Sequence, residues 1–195
     1  MKRHIATTSV FVLAAGLLAA SPASATVNLL VNGSFETGDL SGWTLTGNSG
    51  PEFVTNSFYS YNAESGQDFL VFGQIGSNGV LSQTFSDIPG GTLTVTGFLA
   101  GDGSSPSDFS ASINGHAGFT VSPVPNRGWT EFSFTTTATG LDTLSLAYRN
   151  DPWYDTLDNL SVTETVRMPV AEPGGWAILG TGLLAIGLFR RRRAG

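Results

Sequence analysis

The chain has 195 residues, 25 of them glycine, no cysteine, and a charged fraction of only 12%. Without cysteine there is no disulfide framework, no thiolate nucleophile and no Cys-ligated zinc. Lys2 and Arg3 open the chain and Arg190, Arg191, Arg192 and Arg193 nearly close it; between residues 26 and 170, three arginines stand against fourteen acids, a net −11. A surface of that sign repels phosphate backbones, which excludes nucleic acid as an expected partner and leaves divalent cations and neutral sugars.

Residues 1–25 have the three parts of a secretory signal peptide. Lys2, Arg3 and His4 form a basic start, residues 10–20 are apolar, and Ala23, Ser24 and Ala25 supply small side chains for a signal peptidase. An uncleaved N-terminal anchor is the alternative, but the apolar run is short for a span. The mature chain is expected to start at Thr26.

Residues 26–163 are expected to form one all-β domain. Threonine, serine, valine and phenylalanine recur in short alternating runs separated by turn residues. Expected strands cover residues 27–31, 43–46, 52–55, 69–72, 80–85, 92–100, 109–113, 117–121, 130–136, 143–148 and 157–163. Asn114-Gly115 between two of them is a strong hairpin signal. Gly97 breaks the alternation of residues 92–100, with Leu93 and Val95 in one phase and Phe98 and Ala100 in the other, which predicts a bulge there. So many short strands predict two packed antiparallel sheets.

Two segments carry a family resemblance. Asn28-Leu-Leu-Val-Asn-Gly-Ser-Phe-Glu36, followed by Gly42-Trp43, resembles the opening of galactose-binding-like jelly rolls, the fold of many carbohydrate-binding modules. The segment from Arg149 to Thr163 resembles their closing strand, and residues 81–85 and 129–134 fit the same pattern. The resemblance implies an antiparallel β-sandwich of jelly-roll type. It says little about ligand, because the fold hosts many functions.

The same resemblance implies a structural calcium ion where the first and last strands meet. Carried over, Glu36 and Asp158 would supply its carboxylates, with Asn32 and Asp68 as weaker candidates. Calcium needs six to eight oxygens, so backbone carbonyls would complete the shell. The alternative is that Glu36 caps a turn and Asp158 accepts backbone amides.

Sugar binding by such modules uses aromatic faces. Candidates are Trp153 and Tyr154 in one loop, and Phe58, Tyr59 and Tyr61 in another, since loops on a rigid scaffold carry binding residues. Trp153 could equally pack its own loop, and Trp43 and Trp129, at strand starts, are expected in the core. Catalysis has little to stand on. The mature region has one histidine, His116, beside a tight turn; it has no lysine and no Gly-x-Ser-x-Gly motif. No carboxylate pair is singled out by its spacing.

Residues 164–170 are expected to be a spacer. Beyond them, residues 174–189 carry no charge and as a helix would span about 24 Å, slightly short of a hydrocarbon core of about 30 Å. The arginines that follow should stay cytoplasmic, which puts the preceding domain outside and agrees with the signal peptide. Ala171-Glu172-Pro173, the apolar stretch and Arg190 to Arg193 together resemble a PEP-CTERM sorting signal over residues 171–195. That family is processed by exosortase-type transpeptidases, in bacteria that usually make extracellular polysaccharide. Its pattern has proline where this chain has Ala171, so a permanent single-span anchor remains the alternative.

The sequence therefore reads as an exported, envelope-associated, non-catalytic protein with an inner-membrane stage, expected to bind extracellular polysaccharide. A structural or adhesive surface protein without a defined ligand is the second reading and a glycan-active enzyme the third. Intact mass and fractionation of the native protein test the two ends. Sorting predicts a chain running from about Thr26 to about Glu172, outside the inner membrane. A chain that keeps Arg190 to Arg193 in that membrane would mark an ordinary anchor.

Overall fold

The computed structural model describes residues 27–48, 50–151 and 153–165. The expected signal peptide with Ala25, residues 166–170 of the spacer, and the sorting segment with Glu172, Pro173 and the four terminal arginines lie outside the described residues. Among the described residues no helix is long and apolar enough to cross a membrane.

Ten strands form, in the order β1 Thr44–Gly47, β2 Glu52–Thr55, β3 Phe69–Phe72, β4 Gly79–Ser86, β5 Thr92–Gly101, β6 Ser107–Ile113, β7 His116–Val121, β8 Arg127–Thr137, β9 Leu141–Asn150 and β10 Asp155–Thr165. They make two five-stranded sheets, β1-β4-β9-β6-β7 and β2-β3-β10-β5-β8, and every strand pairing is antiparallel. The two sheets face each other as a β-sandwich of jelly-roll type. Period-two alternation puts Leu81 and Phe85 of β4, Phe109, Ala111 and Ile113 of β6, and Leu144, Leu146 and Tyr148 of β9 inside. They meet Leu70 and Phe72 of β3, Leu93, Val95 and Leu99 of β5, Phe132 of β8, and Leu157, Leu160 and Val162 of β10. Ring contacts bridge the layers, with Phe72 and Tyr148 centroids 4.5 Å apart and Phe109 and Phe132 5.4 Å apart. The tight β6–β7 hairpin turns on Asn114 and Gly115, both at positive φ, and His116 is exposed beside it.

Three sequence expectations need correction. Residues 27–31 make no strand; a single bridge joins Asn28 to Thr163. Side chains hold that segment instead. Asn28 Oδ1 accepts from the Leu30 and Val162 N–H groups, and Gln83 clamps Val31 by accepting from its N–H at 2.6 Å and donating to its carbonyl at 2.9 Å. The bulge expected at Gly97 lies opposite it, in β10, where the register slips between Asp158 and Ser161 around Asn159, which takes positive φ. β5 itself alternates through Gly97 as far as Leu99. Gly97 is needed because a Cβ there would lie 2.7 Å from Phe132 and 2.9 Å from Leu160. Finally, β10 starts two residues before Leu157 and takes in Glu164 and Thr165, the first two residues of the expected spacer.

The opening motif closes one end of the core. Phe35, held at positive φ, is fully buried and stacks on Trp43 at 5.9 Å. Gly33 accepts the Leu160 N–H through its carbonyl at 3.1 Å, and a Cβ on Gly33 would fall 2.2 Å from the Leu160 carbonyl oxygen. Substituting Gly33→Ala must therefore move backbone at the bulge. We expect a loss of at least ~2 kcal/mol, a melting temperature lower by roughly 5–10 °C. Gly128→Ala, where an added Cβ meets nothing within 4 Å, is the matched control and should change stability by less than ~0.5 kcal/mol. Thermal unfolding followed by circular dichroism compares the two.

Candidate functional site

The β2–β3 connection determines what is exposed. It begins where β2 ends at Thr55 and folds back over the outer side of its own sheet, so that all four residues of β3 are buried although the sheet has only one core face. Within it, Phe58 and Tyr61 exchange backbone hydrogen bonds at 3.1 and 2.8 Å, a two-residue hairpin with Tyr59 at positive φ. That conformation is costly for a bulky residue. It lifts the Tyr59 ring into solvent at 71% exposure.

Tyr59 meets the β9–β10 loop there. The Tyr59 and Trp153 ring centroids are 5.6 Å apart with planes inclined by 36°, and Trp153 is 44% exposed. Beneath them lie the half-buried rings of Phe58 and Tyr154: Phe58 is edge-on to Tyr59 at 4.6 Å and to Tyr154 at 5.2 Å, and the exposed Phe53 of β2 packs against both Phe58 and Tyr154. Tyr154 packs close to the Gly73 backbone. Tyr59 and Trp153 thus reach solvent, with Phe53 exposed at their side, while Phe58 and Tyr154 pack beneath them. The structure brings together Trp153, Tyr154, Tyr59 and Phe58, and adds Phe53, which the sequence reading had only as a strand residue.

Tyr61 points elsewhere. Its hydroxyl donates to the Gly101 carbonyl at 3.0 Å, and its ring is edge-on to Trp129 at 6.3 Å. Burial first, then the fields of Asp102 and Asp155, push its phenol up. Trp129, expected in the core, is only half-buried: it stands on the outer side of β8, packs on Phe69, and donates its indole N–H to the Asn62 carbonyl at 2.9 Å. Tyr61 and Trp129 line an open cleft of about 480 Å³ with Ser60, Asn62, Asn126 and Arg127 among its walls. The Phe58–Tyr61 hairpin therefore has an aromatic pair on one side and a mixed aromatic and polar cleft on the other. The missed signal was the neighbourhood Asn126-Arg-Gly-Trp129, polar and glycine-containing, which belongs to a strand end on a rim rather than to a core strand. Trp43, by contrast, packs half-buried against the core and donates its indole N–H to the Asn32 carbonyl.

The proposed calcium carboxylates converge on the 64–68 segment of the same connection. Asp158, fully buried, accepts from the Glu64 and Ser65 N–H groups at 2.8 and 3.1 Å. Glu36 accepts from the Gln67 N–H at 3.0 Å and the Asp68 N–H at 3.2 Å. Burial chiefly, and the Glu36 charge in addition, push the Asp158 carboxyl up to about 6. Asn32 is turned to its own loop, where it donates to the Asp39 and Ser41 carbonyls and accepts from Thr37. Asp68 lies near Gly38. Among the described residues no three carboxylate or imidazole groups gather as a ready metal cluster. The carboxylate oxygens of Glu36 and Asp158 are hard donors of the kind calcium takes; they now accept backbone N–H groups, and backbone carbonyls would have to supply most of the shell.

No protein-family model matches the chain, and no curated protein matches it in sequence. Solved structures do match in fold. TmCBM61, a carbohydrate-binding module solved in complex with β-1,4-galactotriose, superposes with a TM-score of 0.60 at 20% identity over 71% of this chain and 99% of that one. The CBM22-1 xylan-binding domain of Paenibacillus barcinonensis Xyn10C gives 0.52 at 20% identity over 75% and 100%. The K3 cleaved adhesin domain of Lys-gingipain from Porphyromonas gingivalis gives 0.53 at 13% identity over 71% and 99%. At these identities the likeness establishes the fold: the described domain is a jelly-roll β-sandwich of the kind found in carbohydrate-binding modules.

Proposed function

We propose that this is an exported, envelope-associated, non-catalytic protein that binds extracellular polysaccharide through the loop surface around Tyr59 and Trp153. The observation that carries the reading is the pair of neighbouring, solvent-facing rings held on a floor of packed aromatics. Sugar rings present C–H faces that stack on such surfaces, and a preorganised pair loses little side-chain entropy on binding. The Tyr61–Trp129 cleft, with Asn62, Asn126 and Arg127 as donors, is the second contact region. Two of the matching structures are described by the sugars they bind, galactotriose and xylan, which supports the class of ligand and leaves its identity to experiment. Export by signal peptidase and sorting by an exosortase-type enzyme complete the reading, on the strength of the two sequence ends.

Affinity electrophoresis in gels containing a panel of extracellular polysaccharides tests the site. Tyr59→Ala and Trp153→Ala should each weaken retention about tenfold or more, the loss of ~1.4 kcal/mol expected for a central aromatic contact. Retention of both variants equal to the parent would remove this surface as the binding site. Retention by no polysaccharide at all would favour a structural role.

Calcium at Glu36 and Asp158 is part of the proposal. A divalent ion there would neutralise two carboxylates that now repel across one loop segment, and would tie the opening motif to β10. In metal-free buffer the raised Asp158 carboxyl fixes a sign. The native state holds a proton that the unfolded chain, near 3.8, has released, so this group's contribution to stability is full below about 4 and lost as pH rises through about 6. Calcium should reverse the loss at pH 7.5, by ~2.7 kcal/mol at a hundredfold excess over Kd. Asp158→Asn should abolish both the pH trend from this group and the calcium increment from this site. A parent protein whose melting temperature ignores calcium at pH 7.5, and which binds none by calorimetry, would overturn the calcium reading.

A further inference from the structure

On the opposite face of β10 from Asp158 lies a second carboxylate that nothing so far uses. Asp155 pairs with Phe72 in the sheet and points inward at the loop end of the core, in phase with Leu157. It is wholly buried, and neither of its carboxylate oxygens has a hydrogen-bond partner. The Asn150 amide and the Asp102 N–H are its polar neighbours, yet neither meets it with hydrogen-bond geometry. The backbone makes room for this group: a Cβ on Gly101 would lie 2.6 Å from Asp155 Oδ1. A buried carboxylate with both oxygens unsatisfied is among the costliest things a core can hold.

Its surroundings are rich in oxygen and poor in donors. Asp102, on the β5–β6 connection, already collects the Ser104 N–H at 2.9 Å and the Asn150 amide at 3.2 Å on one oxygen. Ser104 Oγ lies 2.6 Å from that same Asp102 oxygen and 2.6 Å from Asn150 Oδ1. A hydroxyl has one proton, so it can donate to only one of these two acceptors; the other oxygen–oxygen contact has no hydrogen in it. No basic side chain helps. The ion pairs among the described residues are those of Arg149 with Asp108 and Asp151. Burial, opposed by the nearby Asn150 amide and helped by the field of Asp102, pushes the Asp155 carboxyl up to about 7.

We propose that Asp155, Asp102 and the Asn150 side-chain oxygen form a site for one hard divalent cation of the calcium type, distinct from the Glu36–Asp158 region. An ion bound there would supply the positive charge that the two carboxylates and the crowded Ser104 and Asn150 oxygens lack. It would join the start of β10, the end of β9 and the β5–β6 connection. Calcium suits the site better than magnesium, because the donors come from separate loops and strand ends and an irregular shell of carbonyls and water is tolerated. Tyr61 stands above it, bonded to the Gly101 carbonyl next to Asp102, so occupancy would steady one wall of the Tyr61–Trp129 cleft.

Calorimetric titration of the purified full-length protein with calcium alone tests the site, with terbium luminescence excited through Tyr and Trp as a second readout. Three variants separate the two regions: Asp155→Asn, Asp158→Asn and the double variant, each checked for native circular dichroism. The expected result is one bound calcium in folded Asp158→Asn, none in the double variant, and one fewer in Asp155→Asn than in the parent. Two results would overturn the proposal: a folded Asp158→Asn protein that binds no calcium, or Asp155→Asn with the parent's stoichiometry. Should Asp155→Asn fail to fold, the Asp158→Asn titration decides alone. Loss of binding only in Asp158→Asn would leave the Glu36–Asp158 reading standing and remove this one.

Discussion

Strand β10 is enclosed on both faces, and much of the molecule is arranged around that constraint. Its inward side chains Leu157, Leu160 and Val162 fill the core between the sheets. Its outward side is roofed by the β2–β3 connection, so the carboxylate of Asp158 on that side never reaches water. A strand in this position cannot leave its polar groups to the solvent. Most find a partner within the protein, and the segments that supply partners are thereby fixed in place. Asn28 reaches β10 from the N-terminal strap, Glu64 and Ser65 turn their amides to Asp158, and Asn159 donates to Glu64. The 56–68 connection is held down by these bonds at one end. At the other it is held by the Tyr61 hydroxyl and the Trp129 indole. The exposed Tyr59 ring is therefore carried on a loop secured at both ends, which is what makes a loop residue serviceable as a rigid binding contact.

Most of the strands were readable because they obey one simple rule. Where one face is buried and the other wet, apolar and polar residues alternate, as in Leu144, Leu146 and Tyr148 against Thr143, Ser145 and Arg149; ten of the eleven expected runs became strands close to their expected bounds. The exception, residues 27–31, is informative. Its side chains bury as a strand's would at Leu30, but Asn28 and Gln83 provide the hydrogen bonds that a ladder would have made. No local pattern distinguishes a segment held by backbone from one held by two amide side chains, one of them, Gln83, far along the chain. The β10 bulge was hidden for a related reason. Gly97 carried the visible anomaly, while the extra residue was on the neighbouring strand that needed the space.

The candidate site was legible in its residue types and not in its grouping. Aromatic residues in polar loops marked Trp153, Tyr154, Tyr59 and Phe58, and the fold placed them together. Nothing local indicated that the connection after β2 would double back over its sheet, and that reversal alone separates Tyr61 from Tyr59 and delivers it to Trp129. Trp129 was misjudged for the same reason. A tryptophan at a strand start is core if the strand is covered and rim if a loop stops short of it, and the coverage is a long-range fact.

The charge balance now has a structural meaning. Among the described residues Arg127 and Arg149 are the basic side chains that face more than a dozen acids. Arg149 is taken by Asp108 and Asp151, and Arg127 is at the cleft. Most acids must then be stabilised by amides, as Asp158, Glu36 and Asp151 are through the N–H groups of Glu64, Gln67 and Gly76. Amide donors offer partial charges and fixed directions, and they suit carboxylates at the surface of a loop. On the inward face of β10, however, no amide meets the carboxylate with hydrogen-bond geometry. Asp155 is on that face. An acidic jelly roll that places a carboxylate there has two physical routes open, to keep the proton or to exchange it for a cation, and the oxygen-rich neighbours Asp102, Asn150 and Ser104 favour the second. A lone protonated acid would be served better by a single good acceptor than by a ring of oxygens competing for one hydroxyl hydrogen.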